Sequence, residues 1–443
     1  MTGTTIADVA PLHEAVDRRA AAIESKIVAW RHHLHAHPEL PNREAETAAF
    51  VAEHLRSLGL DEVRTGVAGH GVVGVLRGGL GGDRVAALRA DIDALPVKEE
   101  SGVGFASTAV DADYPGGPFP VAHACGHDCH TAMVMGAAEV LAGMRSDLPG
   151  TVLFVFQPAE EGPPVAEEGG ARSMVGSPAL RDPAPTMVFG LHVVPLPKGV
   201  VGYRVGHQYA ASCMVRITVH GKQVHASMPW MGLDPMPPAA DIVSACGQIY
   251  RRIPATSPVT VSIGHVEDVG RFNIIGETVT LWGTVRCLHD GDMDTVRDHL
   301  RRTAEHLAQA HGCTAEAEFL QEVPAVDNTP EWTSAALPTL RRVAGADMVK
   351  HTEPTLGYDD VSEFVRAFGG VYVMLGCQDT EYAHGALRSI PGQRGSAANH
   401  NPAFYADDSV LLTGARLHAN MAVDHVTGRV DPELSGQPGP PAF

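Results

Sequence analysis

Cys125 and His127 stand two residues apart in the run His-Ala-Cys-Gly-His-Asp-Cys-His at 123–130, and Glu160 and Glu161 stand side by side in Gln-Pro-Ala-Glu-Glu-Gly at 157–162. A thiolate, imidazoles and carboxylates together suit a borderline divalent ion such as zinc. Two neighbouring carboxylates repel each other. A cation on one relieves that repulsion and leaves the other to move protons. The combination reads as metal-assisted hydrolysis. A lone Cys-x-His would more often be a tight polar turn, and a lone Glu-Glu, with Glu167 and Glu168 nearby, a solvated acidic one. Two further imidazoles weigh against those readings: His192 in Gly-Leu-His-Val and His400 in Asn-His-Asn-Pro.

Convergence requires elements that deliver these residues to one place. Helical patterning opens the chain at about 12–36 and again at 43–58, with Asn42 as its N-cap and Gly59 just past its end. Short apolar strands follow at 71–76, 85–90, 152–156 and 187–191, with a helix at about 130–144. Strands alternating with helices indicate an α/β sheet, whose sites lie just beyond strand ends and at helix starts. Two strand ends, a turn and a helix start then meet at one edge.

From about Ser212 the texture changes. Val215, Ile217 and Val219 alternate with Arg216, Thr218 and His220. A helix at about 238–251, strands at 259–265 and 277–287, a helix at 292–311 and a strand at 314–320 follow. The order β-α-β-β-α-β is the split βαβ, ferredoxin-like unit, an α+β domain. We therefore expect a discontinuous α/β domain at 12–208 and 324–426, an insertion at 209–323, and a flexible tail at 427–443.

The chain has 443 residues, too many for one ordinary core, and its formal net charge of -19 disfavours nucleic acid or an anionic membrane as partner. No apolar run is long enough to span a bilayer, and the first ten residues lack a signal pattern. Seven scattered cysteines fit free thiols in a reducing compartment, so the expected location is cytoplasmic.

In sequence order, Arg89-Ala-Asp-Ile-Asp-Ala-Leu-Pro96, the His-Ala-Cys-Gly-His-Asp run, Gln-Pro-Ala-Glu-Glu and Gly-Leu-His-Val resemble the M20 metallopeptidases, in the amidohydrolase branch that includes hippurate hydrolase, indole-acetyl-amino-acid hydrolases and N-acyl-amino-acid aminoacylases. His35-Ala-His-Pro-Glu-Leu40 fits the same branch, and the resemblance runs from about Val28 to Val423. It implies two divalent ions per subunit, of zinc, manganese, cobalt or nickel, held by Cys125, His127, Glu161, His192 and His400. It also implies Glu160 as general base and Asp93 as the aspartate that orients a ligand. Asp91 is a near neighbour without an assigned role. The resemblance makes the insertion a lid that mediates a homodimer or tetramer. His225 is implied to reach the partner's site, and Asn273 and Arg286 to hold the substrate's polarised oxygen and carboxylate. Alternation independently puts Arg286 with Thr280, Trp282 and Thr284, on the polar face opposite Val279, Leu281 and Val285. Arginine suits planar capture of a carboxylate.

Four departures stand out. Asn273-Ile-Ile-Gly276 lacks the family's usual proline, Cys129 replaces a smaller residue, Trp230-Met-Gly232 stands in the lid where small residues are usual, and 110–120 looks like a loop insertion that could line an acyl pocket. The expected activity is hydrolysis of the amide of a small N-acyl amino acid, acetyl, benzoyl or longer. Alternatives are a dipeptidase or aminopeptidase-like metallopeptidase, a thiol hydrolase with Cys125 as nucleophile and His127 or His130 as base, or a non-catalytic metal-binding module.

Overall fold

The computed structural model describes residues 8–383 and 386–433. They form two compact units, one of residues up to 206 with 327–353 and 363 onward, the other of 207–326 with 354–362.

The first unit is built on an eight-stranded mixed sheet, in the order Glu62–Val67, Gly71–Arg77, Thr151–Gln157, Val85–Asp91, Met187–Pro197, Gly370–Gln378, Val201–Tyr203 and Val349–His351. Its central strands Thr151–Gln157, Val85–Asp91, Met187–Pro197 and Gly370–Gln378 run parallel. They are apolar on both sides, as a sheet covered on both faces requires. Phe154 and Phe156 join the core of helices His127–Ala142 and Leu411–Val426, while Leu153 and Val155 pack with Met174, Leu180 and Phe364 on the other face. Parallel strands share one C-terminal edge, and Asp91 pairs in register with Gln157 there.

The second unit is an antiparallel four-stranded sheet in the order Val259–Asp268, Thr278–Cys287, Ala211–His220, Thr314–Val323. Its helices are Met236–Cys246 and Asp290–Ala310. Val279, Leu281 and Val285 are at most 1 % exposed, whereas Thr280, Trp282, Thr284 and Arg286 are half-buried, as the alternation requires. The unit also takes in 354–362, a segment assigned from sequence to the larger domain.

Three local expectations are corrected. The first helix is two, Ala10–Ala22 and Glu24–Ala36, parted at Ile23, where φ is -114° and ψ is 9°. Asn42 is not a cap: it sits at φ 60°, and its side-chain amide donates to Glu167 and the Glu168 carbonyl. The helix it precedes, Ala45–Ser57, is capped by Glu39, which accepts the Glu46 and Thr47 amides. The expected tail from 427 is packed at its start: Thr427 and Val430 are buried and the Arg429 and Val430 amides bond to the Asp424 carbonyl. Residues 434–443 lie outside the described residues. All seven cysteines are free and buried. No helix among the described residues is long and apolar enough to cross a membrane.

Candidate metal centre

Three of the parallel strands bring chemistry to the same side of the first unit. Val85–Asp91 ends at Asp91, with Asp93 just beyond. Thr151–Gln157 is followed by Glu160 and Glu161. Met187–Pro197 carries His192. Helix His127–Ala142 starts at the same place, behind Gly126 at φ 87°. A Cβ on Gly126 would lie 2.2 Å from Val193 Cγ2, so only glycine lets the helix start this close to the His192 strand. His400 comes from a loop, itself at φ 68°.

The ligating atoms of Cys125, His127 and His192 lie within 4.8 Å of one another, as do those of Cys125, Glu161 and His400, and those of His127, Glu160 and Glu161. Cys125 is common to the first two groups. His127 Nδ1 donates to the Asp93 carbonyl at 2.9 Å and lies 3.2 Å from Asp93 Oδ1. That leaves His127 Nε2 turned to the carboxylates, buried and without a hydrogen-bond partner. Oxygens of Asp91, Glu160 and Glu161 each lie 3.8 Å from it. Three carboxylates around that nitrogen call for a positive charge there, a proton or a metal ion. His192 Nδ1 donates to the Val193 carbonyl, so its Nε2 lone pair faces Cys125 Sγ at 3.4 Å. His400 Nε2 lies 3.1 Å from Glu161 Oε1.

The electrostatics agree. Burial favours neutral His127, yet Asp91, Asp93 and Glu161 outweigh it and raise its pKa to about 10. Burial, then His130, lowers His192 to about 3, which keeps it a neutral donor. Burial, then Glu161, Glu160 and Asp91, pushes the Cys125 thiol well above its ordinary value. The site is a negative well of nitrogen, sulfur and oxygen donors, and it fits divalent metal.

Around it lies a second set that spacing alone did not reveal. Asp91 accepts from Arg89 at 2.7 Å and from His130 Nδ1 at 2.6 Å. His130 Nε2 accepts the Val193 amide at 2.9 Å, so both of its ring nitrogens are committed and it is no base for Cys125. Asp128 binds Arg31 and His35, both at 2.8 Å. Asn399 donates to the Cys125 and Val193 carbonyls. Glu44 is fully buried and accepts the Ala159 amide. The Arg89/Asp91 pair was readable as two charges on one face of an apolar strand; Glu44 and Asn399 left no comparable signal.

His225, Asn273 and Arg286 belong to the second unit. His225 pairs with Ile274 in a two-stranded ribbon, and the Ala226 amide donates to the Asn273 carbonyl, so those two residues are neighbours. Arg286 lies on the four-stranded sheet, hydrogen-bonded to Ser212 and 4.3 Å above the Tyr358 ring. Arg216, the other arginine of that face, is held by Glu318 at 2.7 and 2.8 Å. The 110–120 segment is a hairpin, Val110–Asp111 with Phe119–Pro120, and Tyr114 lies against Arg43.

The profile of peptidase family M20/M25/M40 matches residues 87–424, a span that contains the whole candidate donor cluster and the whole second unit. The chain belongs to this family. Among M20 relatives, thermostable carboxypeptidase 2 of Saccharolobus solfataricus is 34 % identical over 416 residues, covering 93 % of this chain and 98 % of that protein. N-acetylcysteine deacetylase of Bacillus subtilis is 32 % identical over 409 residues, covering 91 % and 97 %. Among solved structures, the Bacillus subtilis YXEP protein, described as a dinuclear metal binding peptidase from the M20 family, matches with a TM-score of 0.70 at 29 % identity, covering 91 % of this chain and 98 % of that one. This M20 protein is a metal-dependent amidohydrolase, with the catalytic and lid architecture of its family.

Proposed function

We propose that this enzyme hydrolyses the amide of small N-acyl amino acids to a carboxylic acid and a free amino acid. The observation that carries the reading is the buried, unpartnered His127 Nε2 among three carboxylate oxygens, with Cys125 shared by two donor groups. Cys125, His127, Glu161, His192 and His400 would hold two divalent ions, and Asp93 would keep His127 in the tautomer that presents Nε2. Divalent metal supplies Lewis acidity there, lowering the pKa of water towards about 7 and polarising an amide carbonyl.

Glu160 is 4 % exposed and is not needed to complete either group that contains Cys125. It takes a proton from the attacking water as oxygen bonds to the carbonyl carbon. It returns that proton to nitrogen as the C–N bond breaks, so the amine leaves neutral. His225 and Asn273 are the lid residues assigned to the developing oxyanion, and Arg286 to the substrate carboxylate. Glu318 neutralises Arg216, and alternation puts Arg286 on the same polar face. Exposed Trp230, Met231 and Phe272, at 75, 62 and 90 %, flank His225 and Asn273 and suit burial in a homodimer. Seven buried free thiols suit a cytoplasmic, reducing location.

A carboxypeptidase reading is favoured by the 34 % identical relative of that name. Both readings need a free carboxylate on the leaving amino acid, and they differ in the acyl side. N-acetyl and N-benzoyl amino acids, compared with matched dipeptides and blocked peptides on metal-loaded enzyme, decide between them. We expect the N-acyl amino acids to be turned over faster, EDTA to abolish turnover, and Arg286→Ala to lower kcat/KM by about 2–4 kcal/mol for acids but far less for the matching amides. Faster peptide cleavage would move the assignment to a carboxypeptidase. Full activity in EDTA would remove the metal reading.

A further inference from the structure

Glu44 is a fully buried acid that none of these steps uses. It stands immediately before helix Ala45–Ser57, where a carboxylate would ordinarily cap the helix. Glu39 has taken that duty, accepting the Glu46 and Thr47 amides at 3.1 and 2.8 Å. The Glu44 side chain turns elsewhere. Its Oε1 accepts the Ala159 amide at 2.8 Å and the Asn42 amide at 3.0 Å.

Ala159 is the residue before Glu160, and its φ is 53°. That is the left-handed region, which an alanine occupies only when its surroundings hold it there. On the far side of Glu160, the Glu161 amide donates to Asp93 Oδ2 at 2.9 Å. Glu160 therefore projects from a stretch of backbone fastened at both ends by buried carboxylates from distant parts of the chain. Burial, then Asp93, raises the Glu44 pKa to about 8. Burying an acid here carries a desolvation cost that an apolar residue would avoid, and Glu44 Oε2 has no hydrogen-bond partner to offset it.

We propose that Glu44 is a positioning residue for catalysis: by holding the Ala159 amide it fixes the direction in which Glu160 takes and returns its proton. The proposal rests on Glu160 being the general base. Its logic is geometric, because displacing a catalytic group by a single ångström is enough to slow turnover severely.

Two conservative variants separate reach from charge. Glu44→Asp keeps the acid but is one methylene too short for the Ala159 amide. Glu44→Gln keeps the length and a carbonyl acceptor. In Glu44→Asp, kcat should fall about 10- to 100-fold while KM stays within about threefold and metal content by elemental analysis equals wild type. Glu44→Gln should restore kcat to within about threefold of wild type. Added to Glu160→Gln, Glu44→Asp should slow the enzyme no further, because the group it aims is gone. Wild-type kcat in Glu44→Asp overturns the proposal. So does a Glu44→Gln as slow as Glu44→Asp, or metal lost in step with kcat. Should Glu44→Asp fail to fold, a folded, metal-loaded Glu44→Gln slowed more than about tenfold overturns it as well. An active Glu160→Gln would instead remove the general-base reading itself, whereas a slow Glu160→Gln beside a normal Glu44→Asp would remove only the role of Glu44.

Discussion

Cys125 belongs to two of the three-residue donor groups that could hold an ion, yet its surroundings alone oppose a thiolate. A nucleophilic cysteine needs the reverse, a pKa lowered by nearby cations or a helix N-terminus. The nearby imidazoles are poor bases: His130 is committed at both nitrogens, His127 Nδ1 is held by Asp93, and burial lowers His192, whose Nε2 faces the thiol, to about 3. The thiol therefore becomes a thiolate only with a cation beside it. Cys125→Ala should lower the metal retained after dialysis, measured by elemental analysis, by about 10- to 100-fold in affinity or more. A variant with full metal and no activity would revive the thiol nucleophile.

The element that matters most is the turn into helix His127–Ala142. Fourteen of its residues are buried, and it packs on helices Glu24–Ala36 and Leu411–Val426. It therefore cannot shift to accommodate change at its start. Gly126 supplies both a left-handed φ and a contact distance to Val193 that no side chain permits. Gly126→Ala should cost about 1–3 kcal/mol in a urea titration and weaken metal binding, because His127 is the next residue. Unchanged metal affinity in a destabilised protein would mean that the His127 position does not depend on this turn. The sequence offered Gly126 as a tight bend; the reason it must be glycine is Val193, sixty-seven residues away, and only folding supplies that contact.

At the scale of the first unit, Asp424 ties three helices together. His13 of Ala10–Ala22 and Thr339 and Arg342 of Pro330–Ala344 all reach its carboxylate, at 2.6, 2.6 and 2.9 Å. Burial alone would raise its pKa, but His13, Thr339 and Arg342 outweigh it and hold it below the ordinary value. The folded value is the lower one, so the stability that Asp424 contributes is fully present above the unfolded pKa of about 3.9 and is lost as pH falls through the folded value. Asp424→Asn should lower stability by about 1–3 kcal/mol near neutral pH. The gap to wild type should close as pH is lowered from about 5 towards 3, followed by denaturant midpoints. A gap that stays constant over that range would place the loss in packing instead of charge.

Local chemistry is what the sequence determined by itself. Apolar runs at 85–90 and 152–156 are strands because their residues suit a sheet buried on both faces, and the alternation at 277–287 set Arg286 apart from Val285 before any fold was known. The quoted motifs were specific enough for the M20 resemblance, since each fixes residue types within one turn or strand end. Spacing could not say which of 24 histidines converge, because His127, His192 and His400 lie far apart in the chain. Gly126 lets the His127 helix start against the His192 strand, and a left-handed loop residue delivers the third. Nor could spacing show that Asn42 and Glu44, which look like an ordinary helix start, bond instead to the loops around Glu160 and Glu167. Those partners lie more than a hundred residues away, and a hydrogen bond across that separation exists only once the sheet has placed both ends.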